Sequence, residues 1–556
     1  MAPNFPLGDP ASVTTMHIAH CHVSTSKPNT FVAAAILAIM TLLLFGRTVG
    51  FGWVGWDDDV HVTGNPRLHP VTIASVWEFW RAPYEGLYIP ASYTLFAAET
   101  VLSRVLFPNG SLDPRPFHAL SIVLHATCVL LVWRILGTRV AAGWPAVAGA
   151  VLFAVHPLQV ESVAWISEQR GLLSAMLCLG VLSLSQGATT MPARRGLCVG
   201  LFALGILAKP QAVITPLLLA ILDGKGSWRS ALGSLGRSWP LLMTAAVVAV
   251  ITKIQQPSEW SWEGADVSSW LRPLVAGDAI CFYAEKFLFP VGLCLDYGRT
   301  PARVLSNPLL VLRAVFVIAV IASICILPLL RSIRVPVMLV VVGLLPVLGL
   351  VPFTFQAFST VADRYAYLPM LGAAVGIAQA AGRVAPGRAI AAASGFAAWM
   401  VALTALTLGQ LPTWRDSEAL NSQIIRVNAQ SAGGRLGLAA AFLGSGRVQE
   451  AAEELRAAVT ANPDYAKARY ELASTLHKLG LRPEAEEHYR AAIRLRPRWS
   501  YAHNDLGILL AEQGRLEEAI GHFREAVALR PDLPAQRMNL ERAEATVEEI
   551  SAEGKR

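Results

Sequence analysis

Charge is what this sequence has least of. Only 15% of its 556 residues are Asp, Glu, Lys or Arg, against about a quarter in an ordinary globular chain. The shortage is local. Residues 431–556 hold 18 basic and 19 acidic side chains, whereas the 430 residues before them hold 28 and 20. With 54% hydrophobic content and a mean hydropathy of +0.46, the first part suits lipid and the second suits water. An entirely soluble enzyme and a disordered chain are excluded. Cysteine is also scarce, at seven residues. Cys128, Cys178, Cys198 and Cys325 sit inside apolar runs with no paired spacing, which excludes a disulfide scaffold and a zinc framework. The net charge of +7 comes from basic residues scattered between apolar runs, the pattern of membrane loops and not of a nucleic-acid binder.

Residues 1–30 read as a loose tail, with His17, His20, Cys21 and His22 a weak metal-binding cluster. The run 31–50 is long enough to span a bilayer and reads as a retained anchor. Further spans are expected near 118–136, 140–156, 171–187, 196–208, 211–223, 239–254, 307–330, 335–352, 366–382 and 389–409, giving about eleven crossings. The stretch 276–292 carries Asp278, Glu285 and Lys286, and reads as an interfacial or half-entering helix. Arg134 with Arg139, Arg194 with Arg195, Lys225 with Arg229 and Arg237, Arg331 with Arg334, and Arg383 with Arg388 fall in alternate connections, which the positive-inside rule puts in the cytoplasm. Loops 51–117, 157–170, 255–306 and 353–365 are then expected outside, with everything after 410.

The tail repeats every 34 residues, since 431–464, 465–498 and 499–532 align without a gap. Leu438, Leu472 and Leu506 correspond, as do Gly446, Gly480 and Gly514, then Ala451, Ala485 and Ala519, then Pro463, Pro497 and Pro531. Glycine ends the first helix of each pair, alanine permits close helix approach, and proline stops the second helix. This is the tetratricopeptide (TPR) pattern, with 410–430 a linker and 533–556 a capping helix and tail. Such stacks form a groove for a peptide or protein. The fold class is therefore all-α: a polytopic membrane domain over 31–409 followed by a TPR solenoid.

Three outer segments could carry chemistry. The first is Asp57-Asp58-Asp59, flanked by Trp53 and Trp56, where carboxylates at a membrane surface must be solvated, paired or used. In an extended chain adjacent side chains diverge, so one acid would face a reacting group while its neighbour fixed the loop or held a cation. A solvated acidic turn explains the composition equally well. The second runs from His156 to Arg170, with Glu161 and Glu168 seven apart and so expected on one face of an interfacial helix, pointing to water or substrate. The third is Asp363-Arg364-Tyr365, where an arginine among aromatics suits a lipid-linked phosphate. The alternative there is a snorkelling Arg364 paired with Asp363. Lys209 and Lys286 are weaker candidates of the same kind.

WDDDVHVTGNP (56–66), FHALSIVLHA (117–126), LFAVHPLQVESVAWISEQRGLLS (152–174), LAKPQAVITPLLLAILD (207–223), FYAEKFLFPVGLCLDY (282–297) and VADRYAYLP (361–369) occur in order and together resemble the TMTC-type proteins. That family joins a GT-C glycosyltransferase domain to TPR repeats and is more distantly similar to protein O-mannosyltransferases. The resemblance implies an inverting transfer of a sugar, mannose first, from a polyprenyl-phosphate donor to a protein Ser or Thr hydroxyl on the extracytoplasmic face of a bacterial inner membrane. It carries the catalytic acids onto Asp57 and Asp58. Arg364, with Arg170 and Lys209, would bind the donor phosphate, while Asp59, His156, Glu161, Glu168, Asp363 and Tyr365 would line the site. The TPR groove would recruit the acceptor. No cofactor beyond the lipid donor is required, although Asp57 and Asp58 with Glu161 could hold a divalent cation. The chain departs from the family at Ile89, where relatives tend to have arginine, and at Gln169 and Gly171, where they have a basic residue and an acid. A non-catalytic TPR scaffold of the envelope is the alternative that these departures suggest. A transporter is disfavoured by the lack of a clear internal repeat in 31–409.

Overall fold

The structure is a computed structural model that describes residues 29–108, 110–185, 192–255 and 267–553. The His17, His20, Cys21 and His22 cluster lies outside the described residues. Among those residues the architecture is all helical, with one isolated bridge between Tyr84 and Leu87. Five helices are long and apolar enough to cross a membrane: Thr30–Gly50, Arg115–Arg139, Pro308–Ile326, Pro328–Val347 and Pro386–Trp414. Counting two bent pairs as single spans gives seven. Every run expected to span overlaps a helix among the described residues, but several of these helices are shorter than the ~20 residues that 30 Å of hydrocarbon asks for. The stretch read as interfacial is the helix Arg272–Leu288. It buries Val275, Ala279 and Tyr283 against the bundle, and its buried Asp278 pairs with Arg299.

The loop 51–117 contains structure that its composition did not announce. Helices Ile73–Arg81 and Pro90–Leu106 fold over a separate apolar core of Val62, Leu68, Phe79, Ile89, Tyr93 and Phe96. Ile89 is thus a core residue with no access to a polar site. Gln169 is also remote from solvent; its amide donates to Glu99, Ser121 and the Phe117 carbonyl, joining three helices.

The repeats fold as their spacing dictates. Gly446, Gly480 and Gly514 adopt φ values of +78°, +76° and +78°, and the residue after each donates its N–H five residues back, closing the first helix of each pair in a Schellman motif. Ala451, Ala485 and Ala519 are fully buried. The segment 410–430 is not a free linker. It forms the helix Ser417–Val427, and Leu411, Trp414, Leu420 and Ile424 belong to the main core of the membrane domain.

The segments grouped as outer loops meet at one end of the bundle, together with the first repeat helix, Ala432–Gly444. Gly55 N–H donates to Ser417 Oγ at 2.7 Å. A Cβ at Gly433 would stand 3.4 Å from both Trp56 and Phe358. Ser431 caps that helix while donating to the buried Asp296 at 2.6 Å. The basic clusters lie at the opposite end, where Arg139 pairs with Asp223 and Arg334 bonds the carbonyls of Gly226 and Ile324.

Candidate functional site

The acidic turn is helical, not extended, since His61 N–H bonds the Asp57 carbonyl at 2.8 Å. The three acids still divide their roles. Asp58, 1% exposed, accepts Val54 N–H at 3.1 Å and both the N–H and hydroxyl of Ser167, and so locks the turn to the 165–168 elbow. Burial pushes its carboxyl up to about 6 despite those bonds. Asp57 keeps its side chain 28% exposed and accepts Arg170 Nη2 at 2.8 Å. Burial alone would raise its pKa; the charges of Arg170, of His61 when protonated, and of Arg364 hold it below the usual carboxylate range. Asp59 does not line the site. It is exposed, and its carboxylate accepts the N–H of Val60.

Glu161 and Glu168 do not share a helix face. Helix Val160–Ala164 stops, Trp165 is extended, and a separate turn carries Ile166–Glu168. The break has a cause, because Ser167 N–H serves Asp58 and not a helical carbonyl. Both glutamates are buried and face cations instead of water. Glu161 pairs with Arg364 at 2.5 Å, Glu168 pairs with Lys209, and Arg170 lies 3.7 Å from Glu168. Gly171 makes this packing possible, since a Cβ there would stand 2.1 Å from Glu168 Oε1 and 3.2 Å from Lys209 Nζ.

Arg364 is buried, with its guanidinium 4.3 Å from the Phe355 ring centroid and 4.8 Å from that of Tyr365. Asp363 is not its partner; that carboxylate accepts the Tyr297 hydroxyl at 2.6 Å. His156 is also outside the cluster. It is buried, with Nδ1 accepting Leu158 N–H and Nε2 facing the Phe287 carbonyl at 3.2 Å, a structural pin. Asp57, Asp58 and Glu161 are each committed to different partners, and no group of three or more His, Cys, Asp or Glu side chains among the described residues is arranged to hold a metal.

A narrow cleft opens beside the cluster. Glu168, Lys209, Arg364 and Tyr365 form its polar end, and Ala175, Ala212, Ile214, Val347, Leu368 and Pro369 its apolar walls. An amphiphile with an anionic head suits that division. Sequence reasoning missed Ser167, Phe355 and His61. The last lies one helical turn beyond Asp57, with Nδ1 3.0 Å from the Tyr93 hydroxyl, and a helical reading of 57–61 would have placed it there. Nothing local marks Ser167, 109 residues from its partner.

A helical membrane domain with a polar cluster and an amphiphilic cleft at one end, and a TPR array docked beside them, defines the class. The tetratricopeptide repeat family model matches residues 436–498 and 470–534. Protein O-mannosyl-transferase Tmtc2 of Drosophila melanogaster is 26% identical over 231 residues, 39% of this chain and 24% of the relative. Protein O-mannosyl-transferase TMTC1 of Mus musculus is 32% identical over 155 residues, 26% of this chain and 16% of the relative. Among solved structures, a crystal structure of MamA matches at 18% identity and a TM-score of 0.23, over 24% of this chain and 77% of that one. The chain thus spans a quarter or less of the length of these two curated relatives. The resemblance to the TMTC-type family drawn from the motifs is borne out.

Proposed function

We propose that the chain is a membrane glycosyltransferase of GT-C type that moves a sugar, mannose first, from a polyprenyl-phosphate donor to a Ser or Thr hydroxyl of a protein. The observation that carries this reading is the convergence of an ionised, partly exposed Asp57 with Arg170 and Arg364, beside a cleft that is cationic at one end and apolar along its walls. The curated relatives named as protein O-mannosyl-transferases support it.

In this reading the acceptor oxygen bonds to the anomeric carbon as the bond from that carbon to the phosphate oxygen breaks. A single displacement inverts the centre. The hydroxyl proton passes to the Asp57 carboxylate. A carboxylate held this acidic is a weak base, so it acts late, once positive charge on the sugar has made the hydroxyl acidic. The lipid phosphate leaves with added negative charge, and Arg364, Lys209 and Arg170 stabilise it. Those cations are paired with carboxylates, so the phosphate must compete with Glu161 and Glu168 for them. Asp58 supports the turn and takes no proton. The reaction belongs on the extracytoplasmic face of a bacterial inner membrane, with the TPR groove recruiting the acceptor.

The test is transfer from labelled polyprenyl-phosphate mannose in membranes. Asp57→Asn should lower the rate by at least about a hundredfold in protein that still folds and reaches the membrane. A wild-type rate in Asp57→Asn sinks the assignment.

The complete internal pairing of the cluster also fits a non-catalytic TPR scaffold. That reading predicts that Asp57→Asn is silent in cells in which deletion of 465–532 is not.

A further inference from the structure

At the end of the bundle remote from Asp57, helix Trp228–Arg237 meets the apolar helix Trp239–Gln255 at a bend of 66°. The remoteness follows from Arg115–Arg139, a helix of 25 residues and hence ~37 Å long. Phe117 near its start bonds Gln169 beside the cluster, and Arg139 at its end pairs with Asp223, which lies just before Trp228–Arg237 and bonds its Ser234. If Trp239–Gln255 crosses the membrane, the preceding helix runs nearer to the bilayer plane than to its normal.

Three stripes run along this short helix. Ala231 and Ser234 face the bundle, and Ser234 donates to Asp223. Trp228 and Leu232, at i and i+4, are 42% and 68% exposed. Arg229 and Arg237, at i and i+8, form the next stripe round and are exposed, as is Lys225 just before the helix. Among the described residues no ion pair involves any of these three cations; the nearby acid, Asp223, is engaged by Arg139 and Ser234. Ile326, the last residue of the helix Pro308–Ile326, and Leu329, in the turn that follows, are 75% and 89% exposed; the Leu327 carbonyl between them is bonded by Arg334 beside Trp228. An apolar flank next to an unpaired basic flank is the pattern of a helix seated at a lipid headgroup boundary.

We propose that Trp228–Arg237 lies in the membrane interface and holds anionic phospholipid headgroups with Lys225, Arg229 and Arg237, while Trp228 and Leu232 sit among the acyl chains. The inference is independent of the catalytic reading. The test is native mass spectrometry of the detergent-solubilised full chain given equal amounts of phosphatidylglycerol and phosphatidylcholine. The wild type should retain phosphatidylglycerol in preference. Arg229→Gln with Arg237→Gln should reduce that preference by about fivefold per arginine. Leu232→Ser should lower retention of both lipids without changing their ratio. Equal retention by the wild type, or an unchanged preference in the double variant, overturns the proposal. If the double variant does not fold, Lys225→Gln, at an exposed site before the helix, gives the same readout: a reduced preference supports the proposal and an unchanged one overturns it.

Discussion

Asp57 and Asp58 are adjacent in sequence and opposite in chemistry because one reaches a guanidinium while the other is buried away from any cation, so that burial outweighs the N–H and hydroxyl bonds it accepts. Their pH behaviour separates accordingly. The Asp58 carboxyl is raised from 3.8 to about 6, so its contribution to stability is full below pH 3.8 and is lost as pH rises through 6. Asp57 is lowered, so its contribution is present above pH 3.8 and lost only in more acid solution. Of these two acids only Asp58 titrates between pH 7 and 5, and opening of the 53–60 turn should become harder by about 1 kcal/mol. Hydrogen exchange of that turn, corrected for the intrinsic rate, measures this, and Asp58→Asn should abolish the trend. Gly171 gives a second prediction. Gly171→Ala places a methyl group on Glu168 Oε1 and must push apart the Glu168–Lys209 pair, with an expected loss of about 1–3 kcal/mol. A lower unfolding temperature in detergent checks it. An unchanged value would mean that the pair can move aside freely.

Elements were legible in the sequence to the extent that one local pattern decided them. Apolar runs gave the bundle helices, and glycine, alanine and proline at a 34-residue period gave the repeats, because each of those residues acts within its own helix pair. The elbow at 156–170 was not legible. Its seven-residue spacing reads as a helix face, and the helix breaks because Asp58, far away in sequence, takes Ser167 N–H. The candidate site divides the same way. Asp57, Arg364, Lys209 and Glu168 stand out as charges in apolar surroundings, whereas Asp59 and His156 carry the same signal and have unrelated local roles. The segment 410–430 hid its docking for a similar reason, since Leu420 and Ile424 pack into a distant core. At that junction Ser431 both caps the first repeat helix and donates to buried Asp296. Ser431→Ala removes the cap, worth about 1 kcal/mol, and also takes the closest donor from Asp296 Oδ2, leaving that oxygen only the longer bond from Asn428. Limited proteolysis should release the repeat array faster from that variant. An unchanged rate would show that the apolar contacts of Ser417–Val427 hold the array unaided.

For the whole molecule, the consequential fact is that the repeat array is built onto the mouth of the site. Gly433 lies against Trp56, the residue before Asp57, and against Phe358, which contacts Phe355, the ring nearest Arg364. A polypeptide held in the first repeat would therefore be presented close to the cluster, where a fixed short distance raises its effective concentration. Inserting ten Gly/Ser residues between Asn428 and Ser431 keeps both units but loosens that distance. If the array serves as the acceptor dock, kcat/KM for a protein acceptor long enough to occupy the groove should fall at least tenfold. For a short Ser/Thr peptide that cannot bridge groove and site, it should stay within about twofold. An equal fall for both acceptors would mean that the array shapes the turn through Trp56 and does not recruit substrate. An unchanged ratio with unchanged rates would mean that the repeats act on some other partner.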